Sequence, residues 1–201
     1  MLLAFDTSSS ACTAALFDGG ECVAARDEAI GRGHSERLVP MIAELLGGRS
    51  ADRILVGVGP GSFTGIRVAI AAAHGLAIGW EAELSGMSSL ALLVAAGDAG
   101  REVAAAVHGG HGELFVQQFG AAGEPTSEAR SLGPADAAAA ITTDLVIGSG
   151  ACQLVQTRGW GEALERVPSA ANALKLPESL RTLSARPVYA RAPDARAKAA
   201  A

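Results

Sequence analysis

Lysine is almost absent from this sequence of 201 residues: the two that occur are Lys175 and Lys198. Because no lysine precedes position 175, a catalytic lysine or a lysine that grips a phosphate is excluded from the front half of the chain. Charged residues are also scarce, at 18%, and their balance gives a formal net charge of −5. An acidic chain does not attract nucleic acid by its overall charge, so any RNA contact requires a local basic patch or a basic partner.

The three cysteines, Cys12, Cys22 and Cys152, are widely spaced and form no CxxC pair. An odd, scattered set does not predict a disulfide framework and indicates a reducing compartment. The N-terminal segment has no basic leader, its apolar run stops at Asp6, and no stretch reaches the ~18 apolar residues of a membrane span. We therefore expect a cytoplasmic protein that does not contact a membrane.

Hydrophobic residues make up 49% of the chain, which is enough for one sizeable core or for two small lobes that share one. The segments "LLAFDT", "CTAALF" and "CVAARDE" predict three short strands joined by tight turns. A helix follows, with Ser35 as a plausible N-cap and with Pro40 expected to kink it or delay its start. Its apolar face carries Leu38, Ile42, Leu45 and Leu46.

A buried strand, "RILVGVG", and a second helix that begins near Thr64 come next. A short fifth strand, "AELSG", and a helix that begins at Ser88 complete the first half. This order predicts an α/β lobe with a mixed five-stranded sheet over residues 1–100. A hairpin around Gly109–Gly110, an alanine-rich helix and the strand "DLVIGSG" predict a smaller α/β lobe over 101–186. The tail, 187–201, is expected to return to the first lobe and to fray at its end.

The loop "GVGPGSFTGIRV", Gly57 to Val68, has three interpretations. As a nucleotide phosphate loop it lacks the GxxxxGK[ST] lysine and the GxGxxG spacing. As a nucleophile loop it places Ser62 one position early for GxSxG. As a structural corner it uses glycine for close strand–helix approach and launches a helix whose small residues let another helix approach. The residues alone favour the corner.

This loop, together with "LLAFDTSSSACTAALF" and "GHSERLVPMI", resembles the TsaB (YeaZ) family, and "PVYARAP" from Pro187 to Pro193 resembles the family's closing segment. The resemblance implies an actin-like, sugar-kinase-like (ASKHA, ribonuclease H-like) α/β fold with two lobes, the second one small. Members of that family are partners of TsaD, which transfers a threonylcarbamoyl group to the adenosine next to the tRNA anticodon. The resemblance therefore implies a non-catalytic subunit that binds and activates a TsaD-like transferase.

The partner surface is also implied by the resemblance, because in the family the helix near Thr64 and the helix after His34 pack against equivalent helices of the partner. On that basis a large residue in place of Ala73 or Gly75 is expected to block pairing. Three further partners are expected. They are a TsaE-like ATPase, tRNA contacted indirectly through the complex, and a second copy of this chain when the transferase is missing. The candidate interface residues are Leu38, Ile42, Thr64, Arg67, Ile70, Ala73, His74 and Ala77.

Where the resemblance places the metal-binding His-x-x-x-His of the catalytic paralogue, this chain has Ser88, Ser89 and Leu90. Two hydroxyls do not replace two imidazoles at a divalent metal, so we expect no catalytic residue and no metal ligand. His108 and His111 flank a tight turn, but two ligands are too few for a zinc site.

Two interpretations of Asp6, Thr7 and Ser8 stay open. They occupy the place where actin-like proteins hold a phosphate and its magnesium, so a vestigial ATP and magnesium site is one interpretation. The other is that Asp6 only caps the turn through hydrogen bonds. The first supports an alternative function, an ATPase or phosphotransferase of the actin-like class. A metallopeptidase is a further alternative, because the wider family resembles proteins labelled glycoproteases.

Overall fold

A computed structural model describes residues 1–96 and 100–190. Strands β1 (Leu2–Asp6), β2 (Ala11–Asp18) and β3 (Glu21–Ala29) pair in antiparallel fashion along the chain. β1 also pairs in parallel with β4 (Arg53–Gly57), which pairs in parallel with β5 (Glu83–Met87). The sheet order is β3-β2-β1-β4-β5, so the predicted mixed five-stranded sheet is confirmed.

Two helices, α1 (His34–Leu46) and α2 (Phe63–Trp80), contact each other and pack on this sheet. Helix α1 packs on β2 and β3, and α2 packs on β4, β1 and β5, because leaving their apolar stripes in water costs ~25 cal/mol per Å². The buried side chains include Leu3, Phe5, Leu16, Leu38, Met41, Ile42, Ile54, Ile66, Ala69, Ile70 and Ala73.

The start of α1 differs from the prediction. Its N-cap is Gly33 at φ 86°, so the helix begins at His34, and Ser35 is not the cap. The helix also continues through Pro40, so the expected delay is wrong. Pro40 lies on the exposed side, where water can hydrate the Glu36 carbonyl that a proline cannot bond.

Helix α2 corrects the expectation that no segment could span a membrane. Its 18 residues have a mean hydropathy of 1.3 and are long and apolar enough to cross one by length and composition. Five of them, however, are buried against the first sheet: Gly65, Ile66, Ala69, Ile70 and Ala73. Packing on the lobe's own sheet explains the apolar residues of this one face, since a core helix passes the same test.

A second sheet, in the order β10-β9-β6-β7-β8, forms the other lobe. Its strands are β6 (Val103–His108), β7 (Leu114–Phe119), β8 (Arg130–Leu132), β9 (Leu145–Ile147) and β10 (Glu162–Leu164). Helices α4 (Pro134–Ala140) and α5 (Ala151–Arg158) pack on it. The hairpin around Gly109–Gly110 and the alanine-rich helix are confirmed, whereas β8 and β10 were not predicted. Short helix α3 (Ser89–Val94) is buried between the two sheets, which share one core.

The chain returns to the first lobe earlier than expected. The Ala170 amide donates to Thr13 Oγ1 of β2 at 2.6 Å, and Leu183 forms an isolated bridge with Gly86 of β5. Residues 170–183, which we assigned to the second lobe, therefore lie against the first. The Val188 amide donates to the Val58 carbonyl at 2.8 Å. The rest of the closing segment, including Arg191 and Pro193, lies outside the described residues.

A network of ion pairs holds α1 against β3, and it should make the free energy of unfolding depend on pH. Arg37 donates to Glu28 at 2.6 Å and to Glu44 at 2.8 Å, and these hydrogen bonds hold the pKa of both carboxyls below the usual value. Lowered folded pKa values mean that the stabilisation is present at neutral pH and is lost as the pH falls through them. We expect the difference in unfolding free energy between wild type and Arg37→Gln to shrink between pH 7 and about pH 3, measured by urea denaturation.

Arg53→Gln is the control for this prediction. Its ion pair with Glu83 spans 3.8 Å between side chains that are 61% and 84% exposed, so it contributes little at either pH. An Arg37→Gln difference that is the same at both pH values would contradict the proposed network.

Candidate functional site: the glycine loop and the inter-lobe cleft

The glycines of the loop between β4 and α2 are required by close contact with the chain's own β1–β2 turn. A Cβ at Gly57 would lie 1.7 Å from Asp6 Oδ2, and one at Gly61 would lie 2.3 Å from the Ser8 carbonyl. A Cβ at Gly65 would lie 1.9 Å from the Thr7 carbonyl. On the side that faces the β1–β2 turn, the loop is therefore in contact with protein atoms and leaves no space for a phosphate, which supports the corner interpretation.

Asp6 is fully buried and both of its oxygens accept hydrogen bonds. Oδ1 accepts from the Ser8 amide and from Ser8 Oγ, each at 2.7 Å, and Oδ2 accepts a short bond from Ser89 Oγ. Thr7, also fully buried, donates through Oγ1 to the Gly65 carbonyl at 2.7 Å. The geometry therefore favours the turn-capping interpretation. Asp6 and Thr7 do not line the cleft, and only Ser8 of the three candidate cofactor residues does.

The two serines that stand in place of the expected histidines have structural contacts. Ser88 caps α3 by accepting from the Ala91 amide at 3.3 Å. Ser89 Oγ accepts from the Gly59 amide at 3.0 Å while it donates to Asp6. Within residues 1–96 and 100–190, no three His, Cys, Asp or Glu side chains group closely enough to hold a metal ion.

A cleft with a volume of about 1040 Å³ separates the lobes and is open to solvent. The first lobe contributes the turn 8–10 and the N-terminal ends of α1 and α2, and the second contributes the β6–β7 loop and Ser149. Three of the four histidines of the chain line it: His34, His108 and His111. Arg32 is its one arginine, and no aspartate or glutamate lies among the described residues of its wall. The wall therefore carries one arginine, three histidines and no carboxylate among the described residues, beside apolar side chains such as Phe63, Val68 and Phe115.

The candidate interface residues divide into two groups. Four are buried in the core of their own lobe: Leu38, Ile42, Ile70 and Ala73. They offer no surface to a partner, so their assignment to the interface is corrected. The physical reason is that the apolar stripe of an amphipathic helix packs first on its own sheet. For the same reason, a large residue at Ala73 would disturb the core and would not test pairing.

The other group lies on the outward side of α2. Thr64, Arg67 and His74 are exposed, and Ala77 is half-buried. Sequence reasoning missed Ala71 and Ile78, which continue the same stripe at helical spacing, with Ile78 80% exposed. Gly75 lies on this stripe too, and a Cβ there would meet nothing within 4 Å. We call Thr64, Arg67, Ala71, His74, Gly75 and Ile78 the outer face of α2.

An aromatic cluster at the mouth of the cleft was also missed. The Phe63 and Tyr189 rings lie 5.4 Å apart between centroids, and the Arg67 guanidinium carbon lies 3.7 Å from the Phe63 centroid. Arg67 Nε donates to Tyr189 Oη at 3.0 Å. The sequence did carry one signal for this cluster, because Tyr189 is the single tyrosine of the chain.

A family model described as TsaD, tRNA N6-adenosine threonylcarbamoyltransferase, matches residues 27–140. A structure described as an uncharacterized protein with similarity to peptidase YEAZ from Pseudomonas aeruginosa has a TM-score of 0.78 and 31% identity, covering 94% of this chain and 99% of that one. This chain belongs to the TsaB/YeaZ family. The resemblance stated from the glycine loop is therefore confirmed, and so is the α/β fold with two lobes, each built on a five-stranded sheet.

Sequence comparison agrees with the TsaB/YeaZ assignment. The Escherichia coli K12 protein named tRNA threonylcarbamoyladenosine biosynthesis protein TsaB is 35% identical over 126 residues, which is 59% of this chain and 54% of that protein. The protein of the same name from Haemophilus influenzae is 37% identical over 125 residues, 58% of this chain and 52% of that protein. The match thus spans about half the length of each of these relatives.

Proposed function

We propose that this chain is a non-catalytic subunit in the synthesis of N6-threonylcarbamoyladenosine in tRNA, where it binds and activates a TsaD-like transferase. The observation that carries the proposal is the outer face of α2 in a member of the TsaB/YeaZ family. Ile78 is 80% exposed beside Gly75 and Ala71, whose small side chains let a second helix approach closely. Val39 of α1, 52% exposed, adds apolar surface on the neighbouring helix.

The serines after β5 support a role without catalysis. Ser88 and Ser89 are engaged in the α3 cap and in the hydrogen bond to Asp6, so the segment that would supply metal ligands makes structural contacts within the first lobe. Asp6, the residue on which an ATPase or phosphotransferase would depend, has both oxygens engaged inside the protein. No observation of the described residues favours a metallopeptidase over the partner role.

The proposal includes the further partners implied by the resemblance. A TsaE-like ATPase joins the complex, and the chain self-associates through the outer face of α2 when the transferase is missing. The complex works in the cytoplasm. Self-association follows from the same surface, because apolar patches of a soluble protein are seldom left uncovered.

Size-exclusion chromatography with light scattering tests the proposal. The chain is run alone and then mixed with the TsaD-like protein of the same organism. We expect a one-to-one species that replaces the self-associated form. Independent elution of the two proteins, with and without nucleotide, would contradict the partner role.

Ala71→Glu is expected to weaken pairing by ~100-fold or more, because it places an unpaired carboxylate in an apolar contact. Ala71 is exposed at the middle of the outer face of α2, so the free chain should fold as before. The matched control is Ala139→Glu, which adds the same charge at an exposed position of α4 in the other lobe. Equal affinity of the two variants for the transferase, measured by titration calorimetry, would exclude this face as the interface.

A further inference from the structure

The wall of the inter-lobe cleft differs in charge from the rest of the protein. Aspartate and glutamate outnumber lysine and arginine by 21 to 16 in the whole chain, yet no carboxylate lies among the described residues of the cleft wall. Arg32 and three histidines do. The cleft wall is therefore less acidic than the protein as a whole, and the carboxylate bonded to a side chain of the wall is Glu36, which accepts from Ser35 Oγ at 3.0 Å.

The cleft also concentrates hydrogen-bond donors. Hydroxyls of Ser9, Ser10 and Ser149 line it, and the N-terminal ends of α1 and α2, helices of 13 and 18 residues, both border it. Independently of these, His34 Nε2 is shielded from solvent and has no hydrogen-bond partner among the described residues. Because His34 belongs to the cleft wall, this nitrogen can bond a group that the protein does not supply once the ring turns towards the cleft.

The mouth of the same cleft carries the Phe63–Tyr189–Arg67 cluster. Phe63 is 50% and Tyr189 is 40% exposed, so both rings retain surface for a planar ligand. Unpaired nucleobases stack on aromatic rings and on guanidinium planes, which is how single strands are held with little dependence on sequence.

We propose that the inter-lobe cleft binds a single-stranded segment of RNA, with its phosphates inside the cleft and a base against the Phe63–Tyr189 rings. The inference rests on the proposed function for the source of the RNA, and it makes this chain itself, in addition to its partner, a contact for tRNA.

A magnesium-bound nucleotide fits the same cleft less well. Magnesium attached to a triphosphate is held by carboxylates, and Asp6 beneath the cleft is closed off by three hydrogen bonds. No lysine precedes position 175 to grip a terminal phosphate. A phosphodiester chain carries one charge per nucleotide and needs neither a metal nor a lysine, so it matches the hydroxyls, histidines and single arginine of the wall.

The first test is fluorescence anisotropy of a labelled single-stranded RNA of about 12 nucleotides with the isolated chain at about 50 mM salt, where phosphate contacts are strong. Tyr189→Ala is expected to weaken binding ~10-fold through the loss of stacking. Tyr189→Phe keeps the ring and loses only the hydroxyl that accepts from Arg67, so it should bind as wild type does.

The second test uses charge. Arg32→Glu should weaken binding ~10-fold and reduce the slope of log affinity against log salt by ~0.7, the value for one phosphate contact on a single strand. Arg49→Glu is the matched control, because Arg49 follows the opposite end of α1 and donates to the Leu46 carbonyl.

Three results would overturn the inference: no binding of the RNA, equal binding by all four variants, or displacement of the RNA by ATP with magnesium at equimolar concentration. Pairing with the TsaD-like protein is measured in parallel for the same variants. RNA binding that depends on Tyr189 and Arg32 in a chain that does not pair would refute the proposed function alone. Pairing without RNA binding would refute only the inference.

Discussion

Gly65→Ala and Gly75→Ala are expected to change the stability of this protein in opposite directions, although both glycines lie in α2. A Cβ at Gly65 would lie 1.9 Å from the Thr7 carbonyl oxygen and 2.9 Å from its carbon, and backbone atoms of a buried turn cannot move aside cheaply. We expect a loss of ~3 kcal/mol or more in unfolding free energy, the range of severe overpacking.

Gly75 has the opposite surroundings, since nothing lies within 4 Å of a Cβ placed there. Alanine removes backbone freedom from the unfolded chain and favours the helix, so we expect a gain of ~0.5–1 kcal/mol. Both values are measured by urea denaturation with circular dichroism. Wild-type stability of Gly65→Ala would mean that the loop does not wrap the β1–β2 turn as tightly as described.

Asp6→Ala is expected to cost ~3–5 kcal/mol of unfolding free energy. The change removes the acceptor of three hydrogen bonds and leaves the Ser8 amide, Ser8 Oγ and Ser89 Oγ without that partner in the interior. Asp18→Ala, at the exposed end of β2, is the control and should change stability by less than ~0.5 kcal/mol.

A second substitution at Asp6 distinguishes the structural role of this carboxylate from the alternative hypothesis that the protein is an ATPase. Asp6→Asn preserves the size of the side chain and one hydrogen-bond acceptor. If Asp6 is structural, this variant lowers the free energy of unfolding less than Asp6→Ala does, and any affinity for nucleotide is unchanged. On the ATPase hypothesis it abolishes magnesium-dependent ATP binding at unchanged stability. Calorimetric titration with ATP and magnesium, beside urea denaturation, distinguishes the two.

Local chemistry in the sequence determined most of the first lobe. Apolar runs and glycine turns predicted β1 to β5 along the chain and a mixed five-stranded sheet. The order of the strands within that sheet came from the structure. The glycine loop predicted a corner because it has no lysine and its glycines do not have the spacing of either phosphate-loop motif. The three-residue strands β8 and β10 are too short to show any period, so no local signal predicted them.

Only the tertiary structure decided which surfaces and which polar groups are free. Helical periodicity shows that Leu38, Ile42 and Ile70 share apolar faces, but it does not say whether those faces meet the chain's own sheet or another protein. The state of Asp6 likewise depends on Ser89, 83 residues away, and the aromatic cluster joins Arg67 to Tyr189 across 122 residues. The sequence by itself determined most elements of the first lobe and the family of this protein, because both depend on local patterns. The fold decided what remains exposed to bind a partner, because exposure depends on contacts between distant parts of the chain.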